Sequence, residues 1–344
     1  MAKTDVVVIG ASAGGVEAVT SLVRCLPPDL DAAVFVVMHF PENSTSVLPQ
    51  ILNRLGTLTA EHATNGQAIQ SGRIYTAPPG HHMLVKNGYI RLTNGPKENS
   101  HRPAIDPLFR SAAKAYGARC AGVLLSGLLD DGSLGMAYVK RHGGATFLQD
   151  PEEALFDAMI RNAMTHVEVD RILPTCGIAE CLAEAASRPS EPLPVHPADN
   201  DLDPVELDSN ELRRLEQFEK PSTFTCPECS GTLFELNDNG VTHYRCRVGH
   251  AYNPETLQAE QLEQLEAGLW QALRALEESV SLSRRLLERA TSRGQARSTK
   301  YHEERLEENL GRVEILKRVL DEVGRPAFSR AFLMSTHTGA DVEE

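Results

Sequence analysis

Aromatic residues make up only 5% of this chain, with a single tryptophan, and no basic excess offsets its acids. Thirty-four Lys and Arg stand against 47 Asp and Glu, a formal net charge of −13. That balance excludes nucleic acid and anionic membrane as main partners and reads as ordinary solubility. Long hydrophobic runs are missing too: the longest near the start, residues 32–38, is far too short to span a bilayer, so no membrane insertion is expected. Met1-Ala2-Lys3-Thr4-Asp5 has no signal-peptide character, and a soluble cytoplasmic protein is expected. Cysteine is scarce, seven in 344 residues, and three of the seven sit at metal-ligand spacing, which argues against a disulfide framework.

What is present is a 41% hydrophobic content, enough for a core, on a chain long enough for roughly two domains. Apolar strand patterns at 6–9, 33–38, 73–77, 120–125, 145–149 and 165–169 alternate with amphipathic helix patterns at 16–25, 46–55, 106–116, 135–141 and 154–163. This alternation predicts an α/β domain over 1–187 with a doubly wound, mostly parallel sheet. Residues 82–92, with Lys86-Asn87-Gly88 in the middle, read instead as a small antiparallel hairpin. A Pro-rich, acidic linker over 188–223 follows, with one short helix at 211–218. Beyond the Cys/His segment 224–254, stripes through Leu262, Leu269 and Leu276 and then Leu306, Leu310, Val313 and Leu320 predict an antiparallel helical hairpin over 255–325. A flexible tail is expected over 326–344.

The apolar run Val6-Val7-Val8-Ile9 leads straight into Gly10-Ala11-Ser12-Ala13-Gly14-Gly15. Glycines flanking a serine at a strand-to-helix turn fit a nucleophile elbow, with free helix N–H groups aimed at the same spot. A dinucleotide-binding loop also follows a first strand, but it needs glycine where Ser12 stands. On this motif alone, hydrolytic nucleophile and anion-binding loop both stay open. In an open parallel sheet, ligands bind beyond the carboxyl ends of the strands. His39 follows the second strand there, and Asp130 and Asp131 follow a later one. A serine hydroxyl needs an imidazole to take its proton, and the imidazole needs a carboxylate to fix its tautomer. Taken singly, a histidine at a strand end or an Asp-Asp-Gly is more often a satisfied polar group, a turn or a helix cap. Their coincidence at one edge favours catalysis.

Ordered motifs across residues 5–174 make this segment resemble the CheB-type protein-glutamate methylesterase domain. They are the Gly10–Gly15 loop, His39-Phe40-Pro41, Tyr75-Thr76-Ala77-Pro78-Pro79-Gly80-His81-His82, His101-Arg102-Pro103-Ala104-Ile105-Asp106-Pro107-Leu108-Phe109 and Leu125-Ser126-Gly127-Leu128-Leu129-Asp130-Asp131-Gly132. The resemblance implies Ser12 as nucleophile, His39 as general base and Asp131 as the orienting carboxylate, with Ala13, Gly14 and Leu128 around the oxyanion. It implies hydrolysis of glutamyl methyl esters on chemoreceptor-like proteins, releasing methanol, and deamidation of glutamine, with no catalytic cofactor. The chain departs from the family pattern at Ala13, commonly threonine, at Leu128, commonly methionine, and at Leu129, commonly glycine. The strand pattern begins near residue 5, so neither a receiver domain before the sheet nor control through one is expected. The competing reading is a signalling adaptor with a weak or inactive esterase fold.

Cys226-Pro227-Glu228-Cys229 and Cys246-Arg247-Val248-Gly249-His250 flank a hairpin around Asn237-Asp238-Asn239-Gly240. Three thiolates and one imidazole at this spacing predict a structural zinc ribbon with Cys226, Cys229, Cys246 and His250 as ligands. His243, on the hairpin, competes for the fourth place. Some thirty residues hold too little core to fold alone, so a metal would supply what burial cannot. The apolar seam of the helical hairpin is a candidate for dimerisation or partner binding.

Overall fold

A computed structural model describes residues 3–39, 45–189, 203–206, 221–238 and 240–323. The helix expected at 211–218 and the tail 326–344 lie outside them. Within them the chain divides into two units, residues 1–258 and 259–344.

The first unit is built on strands β1 (Val6–Ala11), β2 (Ala33–Met38), β3 (Thr59–His62), β4 (Arg73–Thr76), β7 (Cys120–Leu124), β8 (Ala145–Gln149) and β9 (Arg171–Leu173). They form a seven-stranded sheet in the order β3-β4-β2-β1-β7-β8-β9, and every pairing in it is parallel. β1 shows why: all six of its residues are buried, as a strand covered on both faces requires. Val7, Ile9 and Ala11 pack on one face with Val19 and Leu22 of α1 (Gly15–Cys25) and Ile178 and Leu182 of α6 (Thr175–Ala186). Val6 and Val8 pack on the other with Leu108 and Phe109 of α3 (Ile105–Tyr116), Met136 of α4 (Ser133–Arg141) and Ile160 of α5 (Ala158–His166). Helix α2 (Leu48–Leu55) completes the first layer through Leu52. The expected hairpin is β5 (His82–Lys86) against β6 (Tyr89–Thr93), antiparallel.

The structure departs from the sequence pattern in three places. Residues 165–169 are not a strand: α5 runs through His166, and the edge strand is the mostly exposed Arg171–Leu173. β3 and α6 have no counterpart in the sequence pattern. Cys25 and Cys176, 151 positions apart, form a disulfide joining α1 to α6, a pairing that counting cysteines does not foresee.

The same unit includes a four-stranded sheet in the order β10-β11-β12-β13, made of β10 (Pro221–Thr225), β11 (Thr232–Asp238), β12 (Val241–Cys246) and β13 (Ala251–Tyr252). Helix α7 (Pro254–Ser292) follows it, and α8 (Ala296–Val323) comes after residues 293–295. In the second unit the two helices share a seam of Leu273, Val280, Val313 and Leu320. Lys317 pairs with Glu277 and Asn309 bonds to Ser279 beside it. No described helix is long and apolar enough to cross a membrane.

Candidate active site

Strand order reverses around β1, and the loops after β1, β2 and β7 meet at that switch point. Ser12 is held there by its own backbone: its N–H donates to the Ser126 carbonyl at 2.9 Å, and its carbonyl accepts from Gly15 N–H at 2.9 Å. The turn needs glycine at position 14, where φ is +69° and a Cβ would stand 2.7 Å from Ser126 Oγ. Gly127 is needed for a different reason: a Cβ there would collide with Met159 and come within 3.1 Å of Ser12 Cβ. Ser126 Oγ ties the elbow to the facing loop, donating to the Ala13 carbonyl at 2.8 Å and accepting from Phe156 N–H at 3.0 Å. Ala13 and Gly14 find no backbone acceptor for their N–H groups among the described residues. Both groups stand at the start of α1, where a developing anion is favoured. Leu128 is half-buried in the loop after Gly127, and Leu129 beside it takes a left-handed φ of 61°.

Ser12, His39 and Asp131 are brought together. His39 Nδ1 lies 3.0 Å from Ser12 Oγ, and His39 Nε2 lies 2.7 Å from Asp131 Oδ2. A carboxylate on Nε2 places the imidazole proton there and leaves Nδ1 free to accept from the serine hydroxyl. The ring nitrogens thus exchange the places they hold in chymotrypsin-type triads. Asp131 is almost fully buried and accepts three further bonds: Ile105 N–H at 2.7 Å, Asp106 N–H at 3.2 Å and Asn99 Nδ2–H at 2.8 Å. It therefore caps the first turn of α3 while it faces the histidine. Burial works to raise the pKa of its carboxyl, but the His39 contact, Ile105 N–H and Asn99 hold it down at about 2. Asp130 faces the other way. Its carboxylate accepts from Thr256 Oγ1 at 2.5 Å and from the N–H groups of Glu255 and Thr256 at 3.1 and 3.2 Å, capping α7. Burial and the Glu255 carboxyl push its pKa up.

Two further groups were not singled out for a role from sequence. The His101 ring stacks on His39, centroids 3.6 Å apart, and burial followed by the His39 charge lowers its pKa to about 4. It is thus neutral at physiological pH and covers one face of the His39 ring. Asp106, buried against Asp131, has its pKa pushed up by burial and by that like charge. The stack depends on the path of the loop carrying His101, which no local pattern encodes.

Cys226, Cys229, Cys246 and His250 also converge, all four donor atoms lying within 4.8 Å of one another. The Cys229–Cys246 sulfur separation is 3.7 Å, and Cys226 and Cys246 Sγ each lie 3.6 Å from His250 Nδ1. Four ligands on a tetrahedral zinc with Zn–S of about 2.3 Å would hold sulfurs about 3.8 Å apart, so this donor set and spacing fit the metal. His243 is outside the cluster; it is buried on β12, opposite Leu236, with Asp238 at 3.7 Å.

The CheB methylesterase family model matches residues 7–182. The chain is 40% identical over 183 residues to a protein-glutamate methylesterase/protein-glutamine glutaminase of Anaeromyxobacter dehalogenans, covering 53% of this chain and 54% of the relative. A Rhodospirillum rubrum protein of the same name is 33% identical over 194 residues, 55% of this chain and 53% of the relative. The chain thus spans about half the length of the curated relatives it matches. Among solved structures, the Thermotoga maritima CheB methylesterase catalytic domain aligns with a TM-score of 0.51 at 31% identity, over 53% of this chain and 98% of that one.

Proposed function

The chain belongs to the CheB methylesterase family, and from that premise we propose that it hydrolyses glutamyl methyl esters on a methylated receptor-like signalling protein in the cytoplasm. Glutamine side chains would be deamidated by the same acyl chemistry. The observation that carries the reading is the hydrogen-bonded line Ser12–His39–Asp131 at the switch point of the sheet. Ser12 Oγ attacks the ester carbonyl as His39 Nδ1 takes its proton. Asp131 stabilises the imidazolium through Nε2–H, and the N–H groups of Ala13 and Gly14 receive the oxyanion. His39 then returns the proton to the departing methoxide, which leaves as methanol. Water, activated by the same nitrogen, cleaves the acyl-serine to give the free glutamate and restore Ser12. No cofactor enters these steps.

We assign the Cys/His cluster a structural zinc, since four protein ligands leave no open position for catalysis. Partner contact is assigned to the helical pair, where Leu262, Leu265 and Trp270 stay more than half exposed. Methanol release from a methylated receptor fragment tests the hydrolase reading. Ser12→Ala is expected to lower turnover by about 10⁶-fold; near-normal release by that variant would overturn Ser12 as the nucleophile, and no release by the parent chain would leave only the adaptor reading.

A further inference from the structure

The loop between β6 and α3 lies between the Cys/His module and the hydrolytic site, and both grip it. From the module side, Arg245 Nη2 reaches Glu98 at 2.8 Å, both side chains being buried. Asn99 N–H donates to the Ala251 carbonyl at 2.8 Å, and Ala251 N–H donates to the Lys97 carbonyl at 3.2 Å. Asn253 N–H, seven residues past the last cysteine, donates to Asn99 Oδ1 at 2.7 Å. From the other side, Asn99 Nδ2–H reaches Asp131 at 2.8 Å and Asp106 at 3.0 Å. His101, stacked on His39, bonds through Nδ1 to the Asn99 carbonyl at 2.5 Å.

The Asn99 amide has one orientation compatible with these partners. A backbone N–H faces its oxygen and carboxylates face its nitrogen; turned over, it would set donor against donor and acceptor against acceptor. The partner that fixes the oxygen belongs to the module. The backbone there is also set to hold this side chain, with Asn99 and Ser100 at φ of 49° and 63°, a region asparagine tolerates better than most residues. Asn253 adds its own side-chain amide, donating to Asp106 and to the Asp130 carbonyl, both at 3.1 Å.

We propose that Asn99 and Asn253 are positioning residues that make the orientation of Asp131, and through it His39, depend on the folded, metal-holding state of the Cys/His module. The proposal rests on the hydrolase reading for its consequence in turnover, not for the coupling itself. A docked module keeps the Asn99 amide turned towards Asp131. An undocked one frees the oxygen end, and Asp131 loses one of its four donors.

The test uses the full chain, zinc-loaded and chelator-stripped, with two readouts. One is kcat and KM for methyl-ester hydrolysis; the other is the downfield proton resonance of His39 Nε2–H bound to Asp131. Loss of a hydrogen bond to a charged group predicts that stripping lowers kcat about 10- to 100-fold. KM should stay unchanged, while the resonance fades and returns when zinc is restored. Asn99→Gly, which keeps the left-handed backbone, should lower kcat similarly with zinc in place, and stripping it should cause little further loss. If stripping leaves kcat and the resonance intact, or if the two losses multiply, the coupling through Asn99 is overturned. If the resonance responds to zinc as described but no ester is cleaved, the coupling stands and the hydrolase reading fails.

Discussion

Around β1 of the large sheet every residue from Val6 to Ala11 is buried, and helices cover both faces. The Cys/His module's own apolar cluster, among the described residues, centres on Cys226, Leu233, Cys246, Tyr252 and Leu257, two of them ligands of the proposed metal. At about 25 cal/mol per Å² of apolar surface buried, the sheet has ample means to hold its own fold, and the module has little. On the reading proposed above, the module draws instead on the zinc assigned to its cluster and on docking. Glu98 takes Arg110 and Arg245 together, while Arg110 also holds Asp203. Buried charge networks of this kind add little net stability but penalise wrong arrangements heavily. Burial makes the sheet, and specific polar contacts decide where the module sits on it.

The largest expected effect breaks that contrast directly. Structural zinc contributes on the order of 10 kcal/mol to small metal-dependent domains. Cys226→Ser should therefore abolish zinc binding and melt residues 221–258, while the seven-stranded sheet unfolds in a separate, later transition. Metal analysis with amide exchange over both regions checks this; unchanged zinc content would count against the site. A single cooperative loss of both regions would show that the sheet depends on the module more than its core suggests.

A smaller effect sharpens the contrast inside the sheet unit, at Asp131. Removing the triad carboxylate's charge costs about 10⁴-fold in kcat in serine proteases, and Asp131→Asn should approach that value. The same carboxylate carries a pH signature. Its pKa is held at about 2 against an ordinary 3.8, so its contribution is present above pH 4 and lost as the pH falls towards 2. The shift corresponds to roughly 2 kcal/mol. Unfolding of Asp131→Asn should thus depend less on pH in that window than unfolding of the parent chain; equal slopes would mean the carboxylate is not stabilised as described.

The two regions also differ in how far the sequence disclosed them. Strands buried on both faces stand out as apolar runs, so β1, β2 and β7 were legible, and so was β8 although Thr146 and Gln149 interrupt it. The edges were not: in β3 only Ala60 is buried, and β9 is exposed at Arg171 and Ile172, so neither carries a clear pattern. The apolar pattern at 165–169 pointed to a strand that the end of α5 displaces. Ser12, His39 and Asp131 could be placed together because topology puts strand ends on one edge. The choice of Asp131 over Asp130 came only through family resemblance, since both are caps and both are buried. Asn99 and Asn253 gave no signal, and His101 stood in a family motif without a role, because their roles exist only once a loop and a distant module have been packed against each other.

The smallest expected effect concerns strain that a well-buried region can carry. Leu129 sits at φ 61°, where a residue with a Cβ costs roughly 1–2 kcal/mol. Its carbonyl is held by Asn162 Nδ2–H at 2.7 Å, so the backbone is fixed by its surroundings rather than by the leucine. Leu129→Gly removes the Cβ penalty but adds back roughly 0.5–1 kcal/mol of unfolded-chain entropy. The balance should be a gain of no more than about 1 kcal/mol, a rise of roughly 2–4 °C in Tm. If the variant is destabilised instead, the half-buried leucine side chain packs well enough to outweigh the strain. The replacement at this position would then be a packing adaptation of this chain rather than a tolerated cost beside its hydrolytic site.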